Sequence, residues 1–248
     1  MAFSSQNLVI LDSVDSTNNY AMALIKTGKI NSATAVFAKE QTDGKGRRGR
    51  DWKSKPSENI ILSVAVPMQW QSVSKQFQIS VATALSCYDL FQKHILRNLF
   101  IKWPNDIFIN DSKAGGILIE NVIKGNNWQW SVVGVGLNIN QETFEEGIQS
   151  ASSLKMATGK DFDVIKLAEE LYSILLKRIE DLKGGQFEIM MEEYNSKLYS
   201  RGKKVRLKKQ NVVFETKIVG VSSFGQLITE DSVERRFDFD EVEFKRLF

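Results

Sequence analysis

Gln41-Thr42-Asp43-Gly44-Lys45-Gly46-Arg47-Arg48-Gly49-Arg50-Asp51-Trp52 is the stretch around which the chain is organised. Three glycines, four cations and one tryptophan in twelve residues make neither a good helix nor a good strand, so the segment reads as a loop. Glycine permits φ > 0 and close approach to a ligand, while arginine forks and exposed backbone N–H groups suit phosphate oxygens. An anion is the expected guest. The P-loop spacing G-x-x-x-x-G-K-[ST] is absent, and taken alone the stretch reads equally well as a solvated basic loop.

Working outward, Thr34 to Glu40 is a strand that delivers the chain to this loop. Before it, Leu8 to Leu11 forms a short strand, and turn residues Asp12 to Thr17 precede the apolar spacing of a helix closed by Gly28. Asp15-Ser16-Thr17-Asn18 therefore sits at a helix N-terminus, where hydroxyls either cap the helix or face a polar ligand. Beyond the loop, Asn59 to Val66 alternates poorly and reads as a strand buried on both faces. Phe77, Val81, Ala84, Leu85, Tyr88, Phe91 and Ile95 place one long core helix over Ser72 to Ile95. Phe100 to Lys102 and Ile107 to Ile109 are short strands, Asn110-Asp111-Ser112 is a turn, and Lys113 to Ile123 pairs with Trp128 to Asn140. Helices are expected at Leu154 to Thr158, Val164 to Leu182 after the cap residue Asp163, and Gln186 to Leu198. Strands then return at Lys204 to Leu207, Val212 to Val221, Gln226 to Ile228 and Arg236 to Phe244. The expected architecture is α+β, a mixed central sheet with helices over residues 1–200 followed by a small β-barrel over 201–248.

Composition excludes several classes. The 42% hydrophobic and 25% charged residues are ordinary for a globular chain, not a disordered one. The single cysteine, Cys87, and single histidine, His94, exclude an internal disulfide and a Cys/His zinc cluster, and fit a reducing cytoplasm. No leader pattern or apolar run of about eighteen residues is present, so no membrane partner is expected. Net charge is +3, and the excess lies in residues 201–248, with 11 Lys/Arg against 8 Asp/Glu. Six of these cations fall between Arg201 and Lys209, which reads as a solvated strand face ahead of a surface for nucleic acid or an acidic partner.

Two further clusters carry chemistry. In Lys102-Trp103-Pro104-Asn105-Asp106 a cation, a rigid turn, an amide and a carboxylate stand at the lip between two strands. Asp106 is of the type that binds Mg²⁺ alongside phosphates, Lys113 offers a point charge, and Gly115-Gly116 allows backbone contact. Gly134-Val135-Gly136-Leu137-Asn138-Ile139-Asn140 ends a strand with glycines that suit close packing and an asparagine that suits a turn.

In their order, D-S-T-N, Q-T-x-G-x-G-R-x-G-R-x-W, K-W-P-N-D, K-x-x-G-I-L and G-x-G-x-N, these pieces resemble biotin protein ligase, the biotin–acetyl-CoA-carboxylase ligase family, over residues 8–140. The resemblance implies a class II synthetase-like catalytic domain followed by an SH3-like barrel. It also implies activation of biotin by ATP, with Mg²⁺, to biotinyl-5′-AMP, and transfer to a lysine of a biotin carboxyl carrier protein. On the same ground Ser16, Thr17 and Gln41, with the backbone of Gly44 and Gly116, would bind the ureido ring. Arg47, Arg48 and Arg50 would belong to a closing loop, with Trp52 on the intermediate. Lys113 would bridge the biotin carboxylate and the α-phosphate, Asn105 and Asn138 would face adenine or phosphate, and Asp106 would serve Mg²⁺ and acyl transfer. Lys45 stands where many relatives carry arginine, a point charge in place of a fork. Many bacterial members carry an N-terminal helix-turn-helix domain; the catalytic pattern here starts at Leu8, so no DNA partner is expected. A homodimer through a sheet edge stays open. The alternatives are a lipoate ligase or lipoyl transferase of the same fold, whose R-R-x-S-G-G-G and histidine-aspartate elements are absent, and a non-catalytic biotin-sensing or nucleic-acid-binding module.

Overall fold

The computed structural model describes residues 7–145 and 150–245. In chain order the elements are β1 (Leu8–Val14), α1 (Thr17–Lys26), β2 (Thr34–Gln41), β3 (Asn59–Pro67), α2 (Phe77–Gln92), β4 (Leu99–Lys102), β5 (Asp106–Ile109), β6 (Ser112–Lys124) and β7 (Asn127–Asn138). Then follow α3 (Leu154–Thr158), α4 (Val164–Lys183), α5 (Phe187–Ser196), β8 (Lys204–Lys209), β9 (Val212–Val221), β10 (Leu227–Glu230), β11 (Glu234–Phe237) and β12 (Glu243–Lys245).

The first seven strands form one sheet in the order β1-β2-β3-β7-β6-β5-β4. Only β1 and β2 run parallel, and α1 is the crossover that a parallel pair requires. The remaining neighbours are antiparallel, so the sheet is mixed. The β6–β7 hairpin turns at Gly125, whose φ of +59° is open to glycine at little cost.

Helices α2 and α4 cover one sheet face, with α5 packed on α2. Thirteen of the sixteen residues of α2 are buried, because the sheet meets one side of this helix and α4 with α5 meet others. That helix is shorter than the apolar spacing suggests: Val73–Lys75 forms a separate 3-10 turn, with Ser72 Oγ accepting from Ser74 N at 3.4 Å, and α2 begins only at Phe77. Arg178 of α4 ties the layer together, donating to Asp89 of α2 at 2.7 and 2.9 Å and to Glu193 of α5 at 2.7 and 3.0 Å. On the opposite face α1 covers a smaller area, where Ala21, Val36 and Val132 are fully buried.

The C-terminal strands form a second, antiparallel sheet in the order β11-β10-β9-β8-β12. The expected single strand from Arg236 to Phe244 is two strands, β11 and β12, joined by a turn at Asp238–Glu241 in which Asp240 takes φ +71°. A backbone that turns back there cannot continue one ladder. This turn and the β9–β10 loop pack on the rim of the first sheet: Trp103, preceding a cis Pro104, donates its indole N–H to Gly225 O at 2.8 Å, and its ring lies 5.7 Å from Phe239.

Candidate active site

The site is a gap in the sheet face that α1 leaves uncovered. Ile61 of β3, Gly136 of β7, Gly116 of β6 and Asp106 of β5 stand opposite one another across four strands. The next row is Ser63, Gly134 and Leu118. Residues directly opposite share a face, so glycine at the middle of each row leaves a hollow where side chains would otherwise meet. Trp52, at the end of the glycine loop, lays its indole into that hollow. A Cβ on Gly136 would lie 2.4 Å from Trp52 Cε2, and one on Gly116 would lie 3.4 Å from Trp52 Cζ3. Gly136 is therefore required for close approach. The indole N–H of Trp52 is buried without a partner among the described residues, a donor that a bound molecule can satisfy.

One end of the hollow is closed by polar groups from the start of α1. Gln41, the last residue of β2, accepts at Oε1 from the backbone N–H of Thr17 at 2.8 Å and from Thr17 Oγ1 at 3.0 Å. With its carbonyl engaged, Gln41 keeps its NH₂ as the group to offer a ligand. Ser16 is the N-cap residue of α1, yet its hydroxyl makes no capping bond and lines the cavity. Below them Ser63 Oγ lies 2.7 Å from Thr17 Oγ1 and 2.6 Å from Asn18 Oδ1, and Asn18 Nδ2 donates to Glu120 at 2.7 Å. Asp15 points elsewhere: the Asn19 amide, donated at 2.7 Å, holds its carboxyl below the usual range.

The other end is charged. Lys113 lines the cavity, its Nζ 2.7 Å from Asp106 Oδ1 and 5.8 Å from the Trp52 ring centroid. Asn105 is fixed beside it by a reciprocal pair with Ile117, Nδ2 to O at 2.8 Å and N to O at 2.9 Å. The glycine loop forms the roof as a tight hairpin in which Gly46 N donates to Arg50 O at 2.6 Å and Trp52 N to Gly44 O at 2.8 Å.

Of the residues singled out in the sequence, Ser16, Thr17, Gln41, Lys45, Arg47, Trp52, Asn105, Lys113 and Gly116 line this one cavity. Gly44 lies beneath it: a Cβ there would meet Trp52 O at 2.4 Å and Gln41 Nε2 at 2.7 Å. Asp106 touches the cavity through Lys113. Arg48 and Arg50 are exposed on the outer side of the loop. Asn138 is buried at the end of β7, where its amide donates to Ser152 O at 3.0 Å. Asn18, Ser63, Gly134 and Gly136 also belong to the site. Asn18 and the two glycines stood inside motifs already noticed, whereas Ser63 sits mid-strand and carries no local signal.

Among the described residues, no three His, Cys, Asp or Glu side chains are grouped to hold a metal ion. The acidic group at this end of the slot is the Asp106 carboxylate, paired with Lys113, and it would be a single protein ligand to a Mg²⁺, an ion that keeps most of its ligands as water and phosphate. No described helix is long and apolar enough to cross a membrane.

A mixed sheet with a glycine-floored slot, hydrogen-bonding groups at one end and a lysine–aspartate pair at the other makes an α+β protein with a pocket suited to a small polar ligand that carries negative charge. The Biotin/lipoate A/B protein ligase family model matches residues 10–138, and the chain belongs to that family. It is 27% identical over 244 residues to the bifunctional ligase/repressor BirA of Bacillus spizizenii, covering 95% of this chain and 73% of that protein. It is 28% identical over 205 residues to the biotin–[acetyl-CoA-carboxylase] ligase of Mycobacterium tuberculosis, covering 82% and 74%. The structure of biotin protein ligase from Aquifex aeolicus in complex with biotin and ATP superposes with a TM-score of 0.82 at 26% identity, over 97% of this chain and 99% of that one.

Proposed function

We propose that this chain is an ATP-dependent biotin ligase that forms biotinyl-5′-AMP and passes the biotinyl group to a lysine of a biotin carboxyl carrier domain, with residues 1–200 as the catalytic unit. The observation that carries this reading is the polarity of the slot: hydrogen-bonding groups at one end, Lys113 with Asp106 at the other, and a glycine and tryptophan lining between. The ureido ring of biotin has a carbonyl for the Gln41 NH₂ and N–H groups for the Ser16 hydroxyl. The dithiolane of lipoate has neither, and a site with hydrogen-bonding groups left unpaired discriminates strongly against it.

In the first step a biotin carboxylate oxygen attacks the α-phosphorus of ATP. The new C–O–P link forms as the bond to the β-phosphate oxygen breaks, and pyrophosphate leaves with the electron pair. Lys113 and Arg47 stabilise the charge that develops on the phosphate oxygens. Mg²⁺, when bound with ATP, neutralises part of that charge. In the second step the neutral acceptor amine attacks the acyl carbon, the C–N bond forms as the acyl C–O bond to the phosphate breaks, AMP departs with that electron pair, and the amine nitrogen gives up one proton to solvent. Asp106 accepts the hydrogen bond of the incoming amine and holds Lys113 in place. The glycine loop shields the mixed anhydride from water between the steps.

Biotin-dependent exchange of labelled pyrophosphate into ATP tests the reading. Lys113→Ala is expected to lower exchange by about a hundredfold or more. Exchange that persists in Lys113→Ala, or that runs as well with lipoate as with biotin, overturns the assignment.

A further inference from the structure

Two consecutive arginines of the glycine loop converge on one carboxylate almost two hundred positions away, the sequence separation being 193 for Arg47 and Asp240. Arg47 lines the cavity while giving Nη2 to the Asp240 carboxylate at 3.3 and 3.4 Å, its guanidinium carbon 5.1 Å over the Phe239 ring. Arg48 is committed outward. Its Nε lies 2.7 Å from Asp240 Oδ1, its Nη2 2.6 Å from Asp240 O and its Nη1 3.9 Å from Glu243 Oε1. Both Arg48 (φ +60°) and Asp240 (φ +71°) occupy the left-handed region, which residues with side chains enter at a cost and keep only when surrounding contacts hold them there.

The base for Asp240 is firm. Phe239 packs 6.0 Å from Phe77 and 5.7 Å from Trp103, and Glu241 closes the turn by accepting from Asp238 N at 2.9 Å and from Lys209 Nζ at 3.2 Å. A guanidinium has five N–H donors, so Asp240 takes Nη2 of Arg47 and leaves its Nε and Nη1 hydrogens for an anion in the cavity. The donors of Arg48 are largely spent. Within the pair, Arg48 straps the loop down and Arg47 meets the ligand.

We propose that Asp240, from the turn between β11 and β12, is a positioning residue for adenylate retention: through Arg48 and Arg47 it holds the glycine loop closed over the slot. The retention role rests on the ligase reading above, whereas the latch itself does not. Asp240→Asn removes the charge and keeps a side chain that tolerates the left-handed region, so the variant folds with an unchanged melting temperature.

Hydrogen exchange on the ligand-free protein reads the latch directly. In Asp240→Asn the amides of Gly46 and Trp52, which close the loop hairpin, are expected to exchange about three- to fivefold faster, the scale of an ion pair of this exposure. Arg48→Gln is expected to act in the same direction, and the double variant to show less than the sum of the two, the remainder being the Arg47 contact with Asp240. With biotin and MgATP, mass spectrometry is expected to find about three- to fivefold more free biotinyl-AMP or its hydrolysis products from Asp240→Asn. Unchanged loop exchange in Asp240→Asn, fully additive effects of the two substitutions, or unchanged adenylate escape despite faster loop exchange overturns the proposal. If the parent protein makes no adenylate, the ligase reading fails, and the exchange result still decides whether the latch exists.

Discussion

Gly136→Ala should cost ligand affinity more than stability. The added methyl carbon would start 2.4 Å from Trp52 Cε2 and 2.5 Å from Cζ2, where carbon atoms normally rest at about 3.5–4.0 Å. An overlap of about 1 Å has to be relieved by one of the two sides. Gly136 is pinned between β3 and β6, paired with Ile61 and Gly116, and its φ is not positive, so the backbone accepts alanine and does not move. Trp52 is the side that gives, since it sits at the end of a loop. Overpacking of this kind costs about 1–3 kcal/mol. Because the displaced indole is a wall of the slot, that cost falls on binding, about 5- to 150-fold in Kd for biotin. Isothermal titration of biotin, indole fluorescence and thermal unfolding together make the measurement. Trp52→Ala/Gly136→Ala should show a smaller effect than the two single losses added, because the clash vanishes with the ring. Gly136→Ala that binds biotin within twofold of the parent, with unaltered Trp emission, would refute the reasoning.

The fold offers two further tests. Cys87 is fully buried, and burial pushes its thiol well above the usual range, so alkylation by iodoacetamide should be negligible in the native protein and rapid in denaturant. Labelling at native rates would contradict the packing of α2. Arg178→Met leaves Asp89 and Glu193 without their shared cation at side-chain exposures of 24% and 31%, and should destabilise by about 3 kcal/mol in denaturant titration. Burial already raises the Asp89 pKa above its ordinary value, and with Arg178 gone only the weaker pull of Lys93 opposes it. A carboxyl whose folded pKa lies above its unfolded one favours folding at low pH and loses that contribution as pH rises through the folded value. The variant's deficit should therefore shrink on acidification from neutral pH toward the ordinary carboxylate range. A deficit that grows in that window would show that Asp89 is not desolvated.

Most helices and strands, and the glycine loop, were legible in local patterning, apart from the start of α2 and the break between β11 and β12. The 3.6-residue period of α4 and its cap are read directly, and Asp163 does accept from Lys166 N at 3.1 Å. The strands Asn59–Pro67 and Val212–Val221 and the helix Leu154–Thr158 lie within a residue of where apolar runs and turn residues place them. Glycine and arginine density marked the loop, since each residue's propensity acts locally. What propensity cannot carry is register. A slip of one residue between β6 and β7 would put Gly116 and Gly136 on opposite faces and close the slot, and that pairing is settled only by how the whole sheet buries its apolar face against α2 and α4. Ser63 has no local mark for the same reason: it belongs to the site because it lies opposite Gly134 and beneath Thr17. The partition of the loop arginines was likewise beyond the linear chain, because the carboxylate that both of them meet, Asp240, comes from a turn of the second sheet, and Coulomb forces act across space regardless of sequence distance.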